Sequence, residues 1–246
     1  MRFTVYAFSV IPDLETARKN FDLHNLSDKD VAKVLFHQRK QQTGHSEALN
    51  WDQLQIASLS LVHYSLDYVD MITYSLKDQD EPELINTFYN ALGMSGHMVS
   101  WDGNSRSLPL LHFRCMKHRV SDNAYWNSVR QGEQLHVDLS EMIAPERVEM
   151  PPLDAMAKRF HFPGMLGAND DTVWDAYLRS DFSEVARQSD LRALNTYLIA
   201  LEVFALRGDM SFADAARARI KLREHLKRDR DQRGHAAFMQ NWDYAE

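Results

Sequence analysis

The sequence predicts an α/β fold: a five-stranded mixed sheet flanked by helices, followed by a helical C-terminal part. Three observations carry the prediction. Three early strand-like runs are joined as antiparallel neighbours would be. Later strand–helix–strand crossings add parallel strands on one side. From about residue 150 onward the apolar spacing is helical.

Residues 3–9 form the first strand, closed by Pro12-Asp13. Ser27-Asp28 caps a helix that runs to about Gln42, with Val31, Val34 and Leu35 on its apolar face. Residues 55–64 and 68–76 read as two more strands, joined by Ser65-Leu66-Asp67 as a hairpin. A helix over 81–92, a strand over 97–101, a helix over 108–118 and a fifth strand over 135–139 follow. Helices are then expected over 153–160, 172–178, 183–206 and 211–228, and Met150-Pro151-Pro152 reads as a helix start. No internal repeat or low-complexity tract interrupts the chain. The expectation is one domain over 1–246, with a sheet core in 1–145, an inserted helix near 28–43, and a mainly helical part over 150–246.

The 246 residues are ample for a sizeable core, and 44% hydrophobic content fits a globular protein. No run approaches the apolar length that spans a bilayer, so no membrane partner is expected. A single cysteine, Cys115, excludes an intrachain disulfide. With no signal-peptide pattern at Met1-Arg2-Phe3, a cytoplasmic location is expected. The net charge of −7 argues against indiscriminate nucleic-acid binding. Charge is uneven, however. Arg217 to Arg233 carries eight basic and three acidic residues, net +5, which leaves −12 for the remainder.

Val99-Ser100-Trp101-Asp102-Gly103-Asn104-Ser105-Arg106-Ser107-Leu108-Pro109 reads as a strand end, a tight turn and a helix start. Side chains held at such a sheet edge are where α/β proteins build sites. Position 107 is a serine there, and no carboxylate accompanies it.

Several blocks, in one order, carry a resemblance. They include Val10-Ile11-Pro12-Asp13, Gln42-Thr43-Gly44, Val99-Ser100-Trp101, Leu108-Pro109-Leu110-Leu111-His112 and His136-Val137-Asp138-Leu139. Pro152-Leu153-Asp154-Ala155-Met156-Ala157-Lys158, Phe162-Pro163-Gly164-Met165-Leu166-Gly167, Val173-Trp174-Asp175-Ala176-Tyr177, Asn195-Thr196-Tyr197-Leu198 and a terminal Phe238…Trp242 follow. Together they resemble the predicted 3′–5′ exonucleases related to the proofreading domain of DNA polymerase B, in the DEDD, ribonuclease H-like superfamily. The resemblance implies a ribonuclease H-like sheet. It also implies in-line phosphodiester hydrolysis by two Mg²⁺ or Mn²⁺ ions held by carboxylates.

Aligned through Pro12-Asp13, the Asp-x-Glu of the first motif falls on Ala7 and Ser9. The aspartate of the second motif falls on Ser107, and its asparagine on Asp102. The tyrosine and aspartate of the third motif fall on Gln188 and Arg192. All four metal-binding carboxylates are thus replaced. Arginine for aspartate removes an oxygen ligand that Mg²⁺ requires and adds a repelling cation. At 4 Å and an effective dielectric near 20, each unit charge pair is worth roughly 4 kcal/mol. Substitute ligands would have to come from Asp13, Asp102, Asp138 or Asp190. Asp13 and Asp138 read as local caps, and Asp190 lies about 200° around a helix from position 192. Asp102 alone is a plausible site acid, so no metal cofactor is expected.

The resulting expectation is an exonuclease fold without hydrolytic activity, which binds single-stranded nucleic acid in the old cleft or binds a protein partner. The alternative is a divergent metal-dependent nuclease acting on DNA or RNA. Arg192 either grips a phosphate bidentately or pairs with Asp102 or another acid and plugs the gap. Trp101, Asp102, Asn104, Arg106 and Arg192 are nucleic-acid-binding candidates. Arg217, Lys221 and Arg228 join them from one face of the basic helix, whose Ile220, Leu222 and Leu226 otherwise read as core-facing. Cys115, between His112 and His118, reads as core rather than nucleophile. Trp126, Trp174 and Tyr177 read as packing residues.

Overall fold

β1 (Phe3–Pro12) lies at the centre because its side chains alternate between two apolar layers. Phe3, Val5 and Ala7 enter one layer and Tyr6 and Phe8 the other, all buried. A strand buried on both faces is paired on both edges. β1 runs antiparallel to β2 (Leu54–Tyr64), which pairs with β3 (Val69–Ser75). On its other edge β1 runs parallel to β4 (Met98–Ser100), which pairs parallel with β5 (His136–Asp138). The order β3-β2-β1-β4-β5 is the mixed five-stranded sheet expected from the sequence. The structure, a computed structural model, describes residues 1–144, 150–228 and 234–242. Arg230, Arg233, Asp229 and Asp231 of the basic segment lie outside the described residues.

Two helices follow β1: α1 (Leu14–Phe21) and the inserted α2 (Asp28–Thr43). The sequence reading has no α1; Asp13 starts it by accepting from the Thr16 backbone N–H at 3.1 Å. On the Tyr6/Phe8 face, α3 (Glu81–Ser95), α4 (Leu108–His118) and α5 (Asn123–Arg130) complete one core. The short α5 also escapes the sequence reading. α6 (Leu139–Ile143), α7 (Leu153–Arg159) and α8 (Asp170–Leu178) lead to α9 (Phe182–Arg207), whose 26 residues pack across the opposite face. α10 (Phe212–Arg228) and α11 (His235–Gln240) pack behind it. On α10, Leu222 and Leu226 are buried as expected, but Ile220 is 56% exposed and does not face the core. Ile220 lies two residues, about 200°, from Leu222.

A buried ion cluster anchors α4. Arg114 is almost fully enclosed, and its guanidinium donates to Asp13 Oδ2 and to both oxygens of Glu81. Lys117 adds a 2.6 Å contact to Asp13 and His118 a 2.7 Å contact to Glu81. Glu81 Oε1 also accepts from the Ile56 N–H of β2 at 2.8 Å. Asp13 therefore does more than cap α1. Burial pushes its pKa up, but Lys117, Arg114 and Thr16 outweigh burial and hold it below the usual carboxylate range. Breaking such a cluster leaves an uncompensated buried charge.

His136 of β5 stacks on Phe88 with ring centroids 6.1 Å apart and meets the Tyr125 hydroxyl at 3.1 Å. Burial, assisted by His112, pushes its pKa down to about 4. The unfolded chain takes up this proton at the ordinary value of 6.5, before the folded chain does. Stability is therefore complete above that value and falls as pH drops toward 4. Urea unfolding at pH 7 and pH 5 should show a loss, of which about 2 kcal/mol belongs to His136. His136→Gln should shrink the pH dependence by that amount; an unchanged difference between the two pH values would show that His136 titrates normally.

Candidate nucleic-acid interface

The strand end at β4 is held by one carboxylate. Asp138, at the end of β5, accepts from the backbone N–H groups of Asp102 at 3.0 Å and Asn104 at 2.9 Å. It also caps α6 through Ser140 N at 3.0 Å. Asp102 takes a left-handed conformation, φ 58°. Gly103 then passes so close to β4 that a Cβ would lie 1.9 Å from Ser100 Oγ. A wide π-type turn, Gly103–Ser107, carries Arg106 and Ser107 to the start of α4. The expected strand–turn–helix is present, with a wide five-residue turn between strand and helix.

The opposite wall is α9. Ser9 is fully buried, and its hydroxyl accepts from Ser189 N at 2.9 Å. Ser58 and Ser60 of β2 meet Ser189 Oγ at 2.7 and 2.8 Å. Ser60 also donates to Asp190 Oδ1 at 2.7 Å, and Thr73 of β3 donates to the same oxygen. These hydroxyls form a polar seam between sheet and helix. Ala7, 2% exposed, lies in the apolar core beside it. Neither Ala7 nor Ser9 reaches the neighbouring cavity.

That cavity, of about 350 Å³, brings Ser107 and Arg192 together, with Arg39, Arg106, Trp51 and Asp170. Gln188, one helical turn before Arg192, is buried and donates to Asp170 Oδ1 at 2.7 Å. Asp170 Oδ2 stands 3.7 Å from Arg106. Burial lowers the pKa of the Arg192 guanidinium and Arg106 adds to this, while Asp170 and Asp102 oppose it. Among the described residues no hydrogen bond reaches Arg192 Nε. The wall thus presents a desolvated cation without a direct hydrogen bond at that nitrogen. Such a group gains most from an anion with paired acceptor oxygens.

The donor set does not fit two hard divalent cations. Positions 7, 9, 107 and 192 offer a methyl, two hydroxyls and a guanidinium, and Ser9 Oγ already serves Ser189. Among the described residues no three His, Cys, Asp or Glu side chains are placed to hold a metal ion. Asp102, partly buried, accepts from Ser105 Oγ.

The other expected residues are dispersed. Trp101 is 6% exposed and packs in the core, so no base can stack on it there. Asn104 is exposed and donates to Glu141 at 2.6 Å. Arg217 pairs with Asp214, Lys221 donates to the Leu66 carbonyl, and Arg228 is exposed; all three sit on α10, outside the cavity. Trp126 packs beside the α3–α5 core, Trp174 stacks on Tyr177 at 5.7 Å, and Cys115 is buried beside Tyr89. Sequence reasoning missed Arg39, Trp51 and Asp170. The Asn50…Gln53 capping spacing, which forms a short 3₁₀ turn over Trp51–Gln53, is the one local signal that marks this segment. No described helix is long and apolar enough to cross a membrane.

No curated protein matches the chain by sequence. In three dimensions it is similar to the family B DNA polymerase from the hyperthermophilic archaeon Pyrobaculum calidifontis. The TM-score is 0.47 at 13% identity, over 83% of this chain and 26% of the polymerase. The family described as "Predicted 3'-5' exonuclease related to the exonuclease domain of PolB" matches residues 46–242. The chain belongs to this family of exonuclease-like domains related to PolB.

Proposed function

We propose that the chain is a non-hydrolysing member of its family that holds the phosphate backbone of single-stranded nucleic acid in the cleft at Arg192. The observation that carries this reading is the side chain at the third-motif position. A partly buried guanidinium lines the same cavity as Ser107 and leaves its Nε without a hydrogen-bond partner among the described residues. Arg106 and Arg39 line that cavity too. A fixed cation attracts the phosphate that a metal would otherwise engage, but it supplies no activated water. Binding without cleavage follows. The alternative of Arg192 as a plug draws on Asp170. That carboxylate is already engaged by Gln188 and stands near Arg106, and its side chain is 56% exposed.

A shift assay with single-stranded DNA and RNA should detect binding at low salt that weakens as salt rises. Arg192→Gln should weaken it by about 1.5–3 kcal/mol, the worth of a hydrogen bond to a charged group. Absence of binding at low salt makes a protein the partner. Metal-dependent cleavage that is lost in Asp102→Asn establishes a divergent nuclease instead.

Asp170 competes with the ligand for the same arginines. Asp170→Asn should tighten strand binding by about two- to fivefold, because a largely exposed charge is well screened. Weaker binding in this variant would assign Asp170 to ligand contact rather than to competition.

A further inference from the structure

The three parallel strands begin together, at the end of the sheet opposite the motif cleft. Arg2 precedes β1, His97 precedes β4, and Gln134 lies two residues before β5. The Thr4 N–H donates to the His97 carbonyl at 3.0 Å and the Met98 N–H to the Leu135 carbonyl at 2.8 Å, so these strand starts stand side by side. Just inside them, Val99 and Val137 pair in register and join the core on the α9 face. α9 ends beside them, with Phe204 buried and Arg207 half-exposed.

A cavity of about 530 Å³ lies between these elements and Met142 of α6. It shares no lining residue with the cleft at Arg192. Val99, Val137, Met142 and Phe204 make an apolar wall, and the rim carries the donors Arg2, His97, Gln134 and Arg207. Asp209 is the one acid among the described lining residues, and Arg207 Nε holds it at 3.1 Å. Arg207 Nη1 also meets the Met142 sulfur at 3.5 Å, which seats the guanidinium against the apolar wall. An apolar wall with a few convergent polar groups is the usual composition of a small-molecule site. Two arginines against one acid leave one net positive charge among the described lining side chains. That charge suits a monoanion; a phosphate monoester would bring a charge of about −1.5 to −2. A planar carboxylate matches the guanidinium fork.

We propose that this cavity is a ligand site for a monocarboxylate on an apolar stem, with its carboxylate at Arg2 and Arg207 and its stem along Val137, Met142 and Phe204. The site is independent of the phosphate-holding reading, since the two cavities have no residue in common.

Calorimetric titration of the full chain with butanoate, hexanoate, octanoate and octylamine, at low salt, tests this. Octanoate should bind one to one, and affinity should rise about two- to fourfold for each CH₂ added from butanoate to octanoate. Octylamine, with the same stem and the opposite charge, should bind more weakly than octanoate by at least about fivefold. Arg2→Gln should weaken octanoate about two- to fivefold without changing the gain per CH₂. Arg207→Gln should weaken it more, because it also leaves Asp209 facing the carboxylate. Val137→Phe, which narrows the cavity, should flatten the chain-length series. The site is overturned if octanoate does not saturate, if affinity is indifferent to chain length, if octylamine matches octanoate, or if both arginine variants are silent. Octanoate binding that Arg192→Gln abolishes while Arg2→Gln leaves it intact would place the ligand in the motif cleft and overturn the site equally.

Discussion

The seam between α9 and the sheet governs the cleft. Ser9, Ser58, Ser60, Ser189 and Asp190 are all buried, so each polar group must find a partner within the protein. A buried hydroxyl or amide left unpaired costs about 1–3 kcal/mol. The contacts of Ser189 with Ser9, Ser58 and Ser60 fix how closely α9 approaches the sheet and how it is rotated. Positions 188 and 192 follow from that rotation, because residues four apart share a helix face. Gln188 meets Asp170, and Arg192 opens into the cavity.

Electrostatics in the cleft run against the molecule as a whole. The chain carries −7, yet three arginines converge on one lobe. A concave site with low-dielectric walls focuses such a local field. Net charge therefore limits indiscriminate binding without deciding the character of one pocket. Asp170 tempers the local field, attracting Arg192 and standing beside Arg106.

Most of the fold was legible in the sequence because its long elements have clear periodicity. The two early misses, α1 and α5, are eight residues each and rest on aspartate caps rather than on a long apolar stripe. Motif order gave the location of Ser107 and Arg192 in one cavity. It did not give Arg39, Trp51 or Asp170, which come from α2, the segment before β2, and the start of α8. No spacing in the chain connects those three; only the packing of α2 and α8 around the sheet does. Trp101 shows the converse error, since a tryptophan beside the motif proved to be core. Asp138 is intermediate: its cap was legible, but its grip on the 102–104 backbone depends on β4 pairing with β5.

The side chains at positions 9 and 192 each suit the sheet–helix seam as it stands. Carboxylates facing one another across a buried seam are costly unless cations compensate them. Ser9 carries no charge, and its short side chain leaves room for the 2.9 Å contact with Ser189 N. A glutamate at position 9 would insert three more heavy atoms and a charge where nothing is exposed, and α9 would have to retreat. Retreat of α9 would in turn strip Ser189 of its sheet partners and shift Gln188 from Asp170. Arg192 belongs to the same arrangement, since its cation sits where Asp170 and Asp102 supply the nearby negative field. A carboxylate at position 9 therefore works against the contacts that Ser189 and Gln188 make. The sheet–helix seam is a consistent packing solution in its own right, and the cationic cleft is its consequence.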